Sequence, residues 1–222
     1  MRHYKRSSID DLEKIYRINL INSASGYKSA NLIGSRSDSG IANLAVFSSI
    51  IHMGSNPPLL GFILRPTKVA RNTYANIKQN SFYTINHIAQ DFAQQAHHTS
   101  AKYEEEISEF DVTGLTEEHL NSFHAPFVEE SPVKMAMRFV EEHQIRSNGT
   151  LLVIGEICDL YVKEELLEED GFVNLSKGKI VSINGLDGYS LPSDPKRYGY
   201  QRPLDTPSEM TRETQGSRFN LT

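Results

Sequence analysis

The chain of 222 residues contains a single cysteine, Cys158. One cysteine cannot form a disulfide within the chain, and a cysteine-based zinc site would lack its ligands. Cys158 lies in the apolar stretch LLVIGEICDLYV, so we expect a buried packing residue in preference to a catalytic thiol. The fold must therefore depend on a hydrophobic core, which a chain of this length can form without covalent staples.

Long apolar runs are also absent from the sequence. No segment approaches the roughly 18 apolar residues that a membrane-spanning helix needs. The first residues, MRHYKRSSIDDLEKIYRI, are basic and then acidic and lack the apolar core of a signal peptide. We therefore expect a cytoplasmic protein, and the net charge of −5 argues against general nucleic-acid binding.

Acidic residues are missing from one long stretch. Between Ser39 and Gln90 there is no Asp or Glu, although the chain contains 28 of them. The basic residues of this stretch are Arg65, Lys68, Arg71 and Lys78. A basic zone in an acidic protein could attract a small anion such as a phosphate. The alternative, with similar weight from charge alone, is that the stretch forms the core, where carboxylates are rare.

The glycine-rich nucleotide motifs are absent as well. Neither GxGxxG after a strand nor GxxxxGK[ST] occurs, which excludes the Rossmann and P-loop interpretations. Periodicity instead predicts about seven strands, over residues 30–34, 41–53, 59–64, 81–88, 133–139, 150–162 and 179–183. One helix is expected to start near Thr67, its N-cap, and a short one at Thr116. So many strands with few helices predict a mainly β fold, an antiparallel barrel with a few short helices.

The start of the predicted early helix carries a candidate phosphate site. A helix N-terminus offers free N–H groups and a partial positive charge. The strand that ends at Leu64 leads into Arg65, Pro66, Thr67 and Lys68, and Arg71, Asn72 and Thr73 follow. Arginine forks suit phosphate oxygens. A solvated helix end with ordinary basic residues is the alternative.

Other polar side chains lie within or after apolar strands. Ser48 and Ser49 follow Phe47 in one strand, and Asn86 and His87 end another. Buried polar groups need partners, which could be the backbone or a ligand. His97 and His98 are followed by Ser100 and Lys102; adjacent histidines are poorly placed for one metal, and a loop that closes over a ligand fits the pattern as well.

Taken together, the runs NLIGSRSDSGIANLAVFSS, NPPLLGFILRPTKVARNTYANI and SFYTINHI resemble the flavin reductase-like family, in this order and spacing. The resemblance covers roughly residues 25–203, with an N-terminal arm over 1–24 and a polar tail over 204–222. It implies an FMN-binding split barrel of Greek-key topology, a homodimer, and FMN in a groove at or near the subunit interface. The residues that the resemblance assigns to FMN are Phe47, Ser48, Ser49, Arg65, Thr67, Arg71, Asn72, Thr73, Asn86, His87, Ile88, Ser100, Ala101 and Lys102.

The resemblance implies an oxidoreductase that transfers electrons from NADH, NADPH or another donor through bound FMN. A cation near the ring would stabilise the reduced anion and raise the flavin potential, and Lys102 is our hypothesis for that cation. One feature departs from the family pattern, because the late Gly-Asp-His of many two-component flavin reductases is replaced by Asn184-Gly185-Leu186-Asp187-Gly188-Tyr189. Two alternatives stay open. The same barrel could hold flavin without catalysis, as a sensor, store or partner subunit. A related split barrel could also hold haem or no cofactor; haem would need an exposed axial ligand, for which His52, His87, His97 and His98 are available.

Overall fold

The computed structural model describes residues 1–66 and 71–210. Five α-helices are defined in these residues: α1 (Arg6–Asp10), α2 (Lys14–Ala24), α3 (Asn72–Asn80), α4 (Ala93–His98) and α5 (Glu109–Thr113). The strands are β1 (Lys28–Ser29), β2 (Asn31–Arg36), β3 (Ala42–Phe47), β4 (Ile50–Ser55), β5 (Pro58–Leu64), β6 (Phe82–His87), β7 (Glu117–Glu118), β8 (Phe127–Val128), β9 (Val133–Ile145), β10 (Thr150–Val162), β11 (Ser182–Asn184) and β12 (Gly188–Ser190). The mainly β prediction is confirmed.

Seven strands form one antiparallel sheet in the order β3-β2-β6-β9-β10-β5-β4. The two edge strands, β3 and β4, are consecutive in the chain and are separated only by Ser48 and Ser49. Two residues cannot cross a flat sheet of seven strands, since neighbouring strands lie about 4.8 Å apart. The sheet must therefore curl until its edges meet, which gives a barrel that is split between β3 and β4.

The alternation of side chains divides the core into two parts. Ile33, Phe62, Tyr83 and Met137 belong to a cluster inside the barrel, which Ile77 of α3 joins from one end. The residues between them point outward, as the period of two requires. The outer cluster packs α4 and α5 against the barrel and includes Leu32, Leu44, Ile88, Phe92 and Phe110.

Smaller elements complete the fold around the barrel. Strands β1, β11 and β12 form a three-stranded sheet, and β7 pairs with β8. After β12 the chain folds back, and Arg197 forms an ion pair with Asp170 while its guanidinium lies 4.1 Å from the centre of the Phe172 ring. Within the described residues, no helix combines the length and the apolar character needed to cross a membrane.

The strand predicted over residues 41–53 is wrong in one respect, because the chain breaks at Ser48 and Ser49 into β3 and β4. The reason is visible in the hydrogen bonds of Ser49. Its hydroxyl donates to the carbonyl of Ile63 at 3.0 Å and accepts from the amide of Ile63 at 3.1 Å. A side chain therefore takes the place of a strand partner for β5, and apolar periodicity gives no sign of such a substitution.

Two other predicted features differ from the structure. The helix expected at Thr116 is absent, and Glu117–Glu118 pairs with Phe127–Val128 as a short ribbon. Acidic residues after a threonine are typical of a helix start, but the contact with β8 decides the local structure. Helix α3 begins at Asn72 with Arg71 as its N-cap, and the predicted cap Thr67 lies outside the described residues.

Cys158 is exposed, so the expectation of a buried packing residue is wrong. The ladder between β9 and β10 shifts register between Ile157 and Asp159, and Cys158 is the residue left without a partner opposite it. Such a bulge interrupts the alternation of a strand and redirects the side chain of the extra residue. The apolar surroundings in the sequence therefore do not determine its burial.

Gly34 provides a test of how tightly the outer face of the barrel is packed. A Cβ atom at Gly34 would lie 2.3 Å from the carbonyl oxygen of Pro126 and 2.6 Å from Oγ1 of Thr84, which itself donates to Pro126 at 2.6 Å. The Gly34→Ala variant should therefore lose about 1–3 kcal/mol of unfolding free energy through overpacking. Chemical denaturation measures this loss. The control is Gly199→Ala, since no atom lies within 4 Å of that Cβ position; equal stability of the two variants would contradict the expectation.

Candidate functional site

A row of three side chains crosses the sheet at one end of the barrel. Asn31 on β2 pairs with Phe47 on β3 and with His87 on β6. Directly paired residues place their side chains on the same face, about 5 Å apart. Asn31 is only 1% exposed, and its Oδ1 atom has no hydrogen-bond partner among the described residues. The row therefore brings two predicted site residues to either side of a buried acceptor.

Asn31 is absent from the site predicted from the sequence. The available signal is that a polar amide opens an otherwise apolar strand, ANLIG. Its Nδ2 group donates to the hydroxyl of Ser29 at 3.0 Å, which satisfies only one side of the amide. A buried acceptor without a donor is uncommon in folded proteins and indicates a missing partner.

Asn86 and His87 do not act together as the sequence suggested. Successive residues of a strand point to opposite faces, so Asn86 faces β8 while His87 faces the row. The Asn86 amide donates to Thr84 Oγ1 at 2.8 Å and accepts from the amide of Val128 at 3.1 Å. This side chain anchors β8 to the barrel. Ile88 is fully buried in the outer cluster and contributes apolar packing.

The imidazole of His87 is neutral near physiological pH. Burial lowers the pKa of His87 from 6.5 to about 4, because the charged form loses its hydration. His87 therefore supplies no positive charge to a ligand. It offers one ring nitrogen that donates and one that accepts.

A second group of site residues lies at the start of α3. Arg71, the N-cap residue, is half-buried, and its Nε atom is buried without a hydrogen-bond partner among the described residues. Asn72 is half-buried beside it, and Thr73 is buried and donates to Asn43 Oδ1 at 3.3 Å. Arg65 is exposed. The predicted contact of Thr67 lies outside the described residues.

Strand β3 connects the two groups. Asn43 lies near the α3 end of β3 and contacts Thr73, whereas Phe47 ends the strand in the row with Asn31. Phe47 follows Asn43 by four residue steps of extended chain, which corresponds to about 13 Å. Both side chains point to the same face of the strand. The free edge of β3 therefore extends from Arg71 at the start of α3 to the side chains of Phe47 and His87.

The turn between β3 and β4 contributes two hydroxyl groups, which differ in their hydrogen bonds to the backbone. Ser48 is half-buried, while the Ser49 hydroxyl already donates to and accepts from the backbone of Ile63. Any contact of Ser49 with a ligand would be additional to these bonds. Phe47 packs edge-on against Phe62 with ring centres 5.2 Å apart, which fixes the orientation of its ring.

Residues 99–108, between α4 and α5, include the loop that the sequence predicts to close over a ligand, and we call them the covering segment for that prediction. Its predicted site residues Ser100, Ala101 and Lys102 are all exposed. Two other polar atoms of the segment, the Tyr103 hydroxyl and Ser108 Oγ, are buried without hydrogen-bond partners among the described residues. No sequence pattern indicated these two residues, and only their unpaired hydroxyl groups in the structure identify them as candidates.

The two histidines of α4 differ in their surroundings. The Nδ1 atom of His97 lies 3.2 Å from the Tyr189 hydroxyl, and the two rings meet edge to face. Burial raises the pKa of Tyr189 to about 12, so the phenol stays protonated and can donate. His98 instead contacts the ring of Tyr103 at 6.0 Å. His97 therefore joins α4 to β12, and His98 contacts the covering segment.

A buried carboxylate joins the covering segment to β3. Glu109, the first residue of α5, is 7% exposed, and its Oε2 atom accepts from Asn43 Nδ2 at 2.9 Å and from the amide of Leu44 at 2.8 Å. Burial raises the pKa of Glu109, and the two N–H donors oppose this shift. Glu109 was not predicted as a site residue, because the sequence around it, EEEISEFD, reads as a solvated acidic stretch.

The arrangement suits a ligand with an anionic end and a flat ring. Arg71 and the N-terminus of α3 present positive charge and N–H groups at one end of β3. Phe47, Asn31 and His87 present an aromatic face with hydrogen-bonding groups at the other. Among the described residues, no group of three or more histidine, cysteine, aspartate or glutamate side chains is placed to bind a metal ion.

Solved structures share this fold. A protein from Shewanella frigidimarina NCIMB 400, whose crystal structure is described as a presumed flavin reductase with a split barrel domain, is 46% identical to the chain; the match covers 90% of this chain and 100% of that one, with a TM-score of 0.87. Nitrilotriacetate monooxygenase component B from Bacillus cereus is 18% identical, with 89% and 98% covered and a TM-score of 0.76. An FMN-binding protein from Thermus thermophilus is 15% identical, with 79% and 92% covered and a TM-score of 0.66.

The split-barrel fold predicted from the resemblance is thereby confirmed. The sequence itself also matches the flavin reductase like domain over residues 28–180. This range contains β1 to β10, α3 to α5 and all the site residues predicted from the sequence. The chain therefore belongs to the flavin reductase like domain family.

Proposed function

We propose that the protein is an oxidoreductase that binds FMN along the free edge of β3 and transfers electrons through it. The observation that carries the proposal is the set of buried polar atoms without partners that surround this edge. They come from the start of α3, from β2 and from the covering segment: Arg71 Nε, Asn31 Oδ1, Tyr103 OH and Ser108 Oγ. Buried polar atoms cost free energy unless they are paired, so together they favour a polar ligand in this position.

The residues present fit FMN at both of its ends. Arg71 and the N-terminus of α3 would hold the phosphate, since a guanidinium and free backbone N–H groups both favour an anion. Phe47, Asn31 and His87 would contact the ring system, and Asn31 Oδ1 would accept from a ring N–H. The proposal draws further support from the shared fold of the Thermus thermophilus protein that is described as FMN-binding.

Bound flavin would supply the hydride and electron chemistry, while the chain orients it and limits the access of water. His87 contributes hydrogen bonds without charge. Lys102, exposed in the covering segment, is proposed as the cation that stabilises a reduced, anionic ring and raises the flavin potential. The covering segment itself would exclude solvent from the ring.

We propose NADH or NADPH as the electron donor. One observation, the turn between β11 and β12, favours a second function that does not use a nicotinamide. The segment that stands in place of the Gly-Asp-His expected from the resemblance forms the turn between β11 and β12, in which Gly185 has a φ of 67°. Tyr189, in β12, contacts His97. This turn presents no histidine of its own to a nicotinamide. The alternative is therefore a flavin-binding protein without turnover by nicotinamides, which serves as a sensor, a store or a partner subunit.

We also propose that the protein forms a homodimer and that its split-barrel domain spans residues 25–203, between an arm over 1–24 and a tail over 204–222. Helix α2 has no buried residue, and Ile15, Tyr16 and Ile21 on it are 47–58% exposed. Apolar side chains on a helix without a core contact suit an interface with a second copy. The family match over 28–180 lies within the proposed domain of residues 25–203.

An absorbance spectrum of the purified protein, followed by anaerobic addition of NADH and NADPH, tests the proposed function. We expect flavin bands, either as purified or after addition of FMN, and bleaching by a nicotinamide. Flavin bands that persist after both additions would favour the alternative function. A protein that neither contains flavin nor binds added FMN would contradict the proposal.

The Arg71→Met variant tests the phosphate end of the site. Loss of a charge-assisted hydrogen bond should weaken FMN binding by about 10–100-fold. Riboflavin lacks the phosphate, so its affinity should change much less. Fluorescence titration with both flavins measures the difference, and Arg146→Met, a change of an exposed arginine elsewhere, is the control. An equal loss for FMN and riboflavin would remove Arg71 from the phosphate.

The protonation of His87 should appear in the stability of the flavin-free protein. Its pKa is about 4 in the folded state and 6.5 for the unfolded chain, so the unfolded state binds more protons between these values. This contribution to the unfolding free energy is therefore fully present above pH 6.5, falls as the pH is lowered and levels off below pH 4. His87→Gln should lose this component. Denaturation from pH 7 to 4 measures it as the difference between the two proteins; parallel curves would show that His87 titrates normally.

A further inference from the structure

Glu109 lies at the open edge of β3, one of the two edges of the seven-stranded sheet. The amide of Ser37 donates to the carbonyl of Ile41 at 3.0 Å, which fixes the phase of the ladder between β2 and β3. Hydrogen-bonded pairs of an antiparallel ladder recur every second residue, so the amide of Leu44 points away from β2. That amide faces the split, and the Glu109 carboxylate accepts from it at 2.8 Å.

The same carboxylate oxygen connects three elements of the candidate site. Glu109 Oε2 accepts from Asn43 Nδ2 at 2.9 Å, and Asn43 Oδ1 accepts from Thr73 Oγ1 at 3.3 Å. All three side chains are no more than 7% exposed. The buried chain of hydrogen bonds runs from α5 through β3 to α3. Its two ends, Glu109 and Thr73, follow Ser108 by one residue and Arg71 by two. Ser108 and Arg71 each carry a buried polar atom without a partner among the described residues.

We infer that Glu109 is the positioning residue that holds the covering segment closed over the bound flavin, and that its bonds to β3 set how fast the flavin leaves. The inference rests on the proposed FMN function. The covering segment has α4 on one side and α5 on the other, and the Glu109 hydrogen bonds attach α5 to β3 beside the apolar contacts of Phe110. The helix is only five residues long, too short to hold its position by its own stability.

The variants Glu109→Ala and Glu109→Gln separate this role from a simple effect of charge. Because one oxygen accepts both N–H groups, the amide oxygen of glutamine can take the same position, whereas alanine leaves both donors unpaired. Glu109→Ala should release FMN about tenfold faster or more, as expected for a lost buried hydrogen bond. Glu109→Gln should stay within about threefold of the native rate. The matched control is Glu105→Ala, since Glu105 is an exposed carboxylate of the covering segment.

Stopped-flow fluorescence, with an excess of a flavin-binding competitor to trap released FMN, measures the dissociation rate, and titration gives the affinity. A native rate in Glu109→Ala, or an equal acceleration in Glu105→Ala, would overturn the inference while leaving the proposed function intact. Absence of FMN binding by the native protein would instead contradict the proposed function.

Hydrogen exchange keeps the inference testable if Glu109→Ala does not fold. In the flavin-free native protein, the amides of residues 99–113 should exchange about tenfold more slowly than in an unstructured peptide, because the segment is tied to β3. Glu109→Gln should retain most of this protection. Exchange of the native segment at the rate of an unstructured peptide would show that Glu109 does not hold it, whatever the flavin does.

Discussion

The connection of two residues between β3 and β4 is the constraint on which the rest of the structure depends. It brings the two edges of a seven-stranded sheet together without a ladder between them. Backbone groups along the split then need partners from elsewhere, because buried amides and carbonyls are almost always paired. Ser49 satisfies Ile63 on one side, and Glu109 satisfies Leu44 on the other. The split is thus the place where side chains replace strand partners and where a ligand can approach the backbone.

This arrangement explains why the candidate site is assembled from distant parts of the chain. The interior of the barrel is filled with apolar side chains such as Ile33, Phe62 and Met137, so it leaves no room for a flavin. Among the described residues, four of the six buried polar side-chain atoms without partners lie on β2, at the start of α3 and in the covering segment, whereas the other two belong to Tyr83 inside the barrel and to Asn184. The proposed electron transfer through flavin would require little chemistry from the protein itself, and the candidate site correspondingly contains positioning groups in place of an acid–base pair.

Much of the fold was predictable from the sequence, for definite physical reasons. Apolar runs and alternation of apolar residues identified β2, β5, β6, β9 and β10, because these strands bury one or both of their faces. The break at Ser48 and Ser49 and the strand at Glu117 could not be predicted, since both depend on contacts with residues far along the chain. Local and long-range causes also differ within the candidate site. Arg71 could be predicted because it belongs to a local helix-start pattern. Asn31 and Glu109 could not, because only the strands and helices that pack against them identify them as candidate site residues.

The exposed position of Cys158 has a practical consequence. It is the only cysteine of the chain, and it lies at the bulge of β10 on the surface of the barrel. A maleimide-linked spin label or fluorophore would therefore react at a single known position without prior removal of other thiols. In an assembly of two copies, two such labels would report one intersubunit distance, and energy transfer from a label to bound flavin would report where the ring lies.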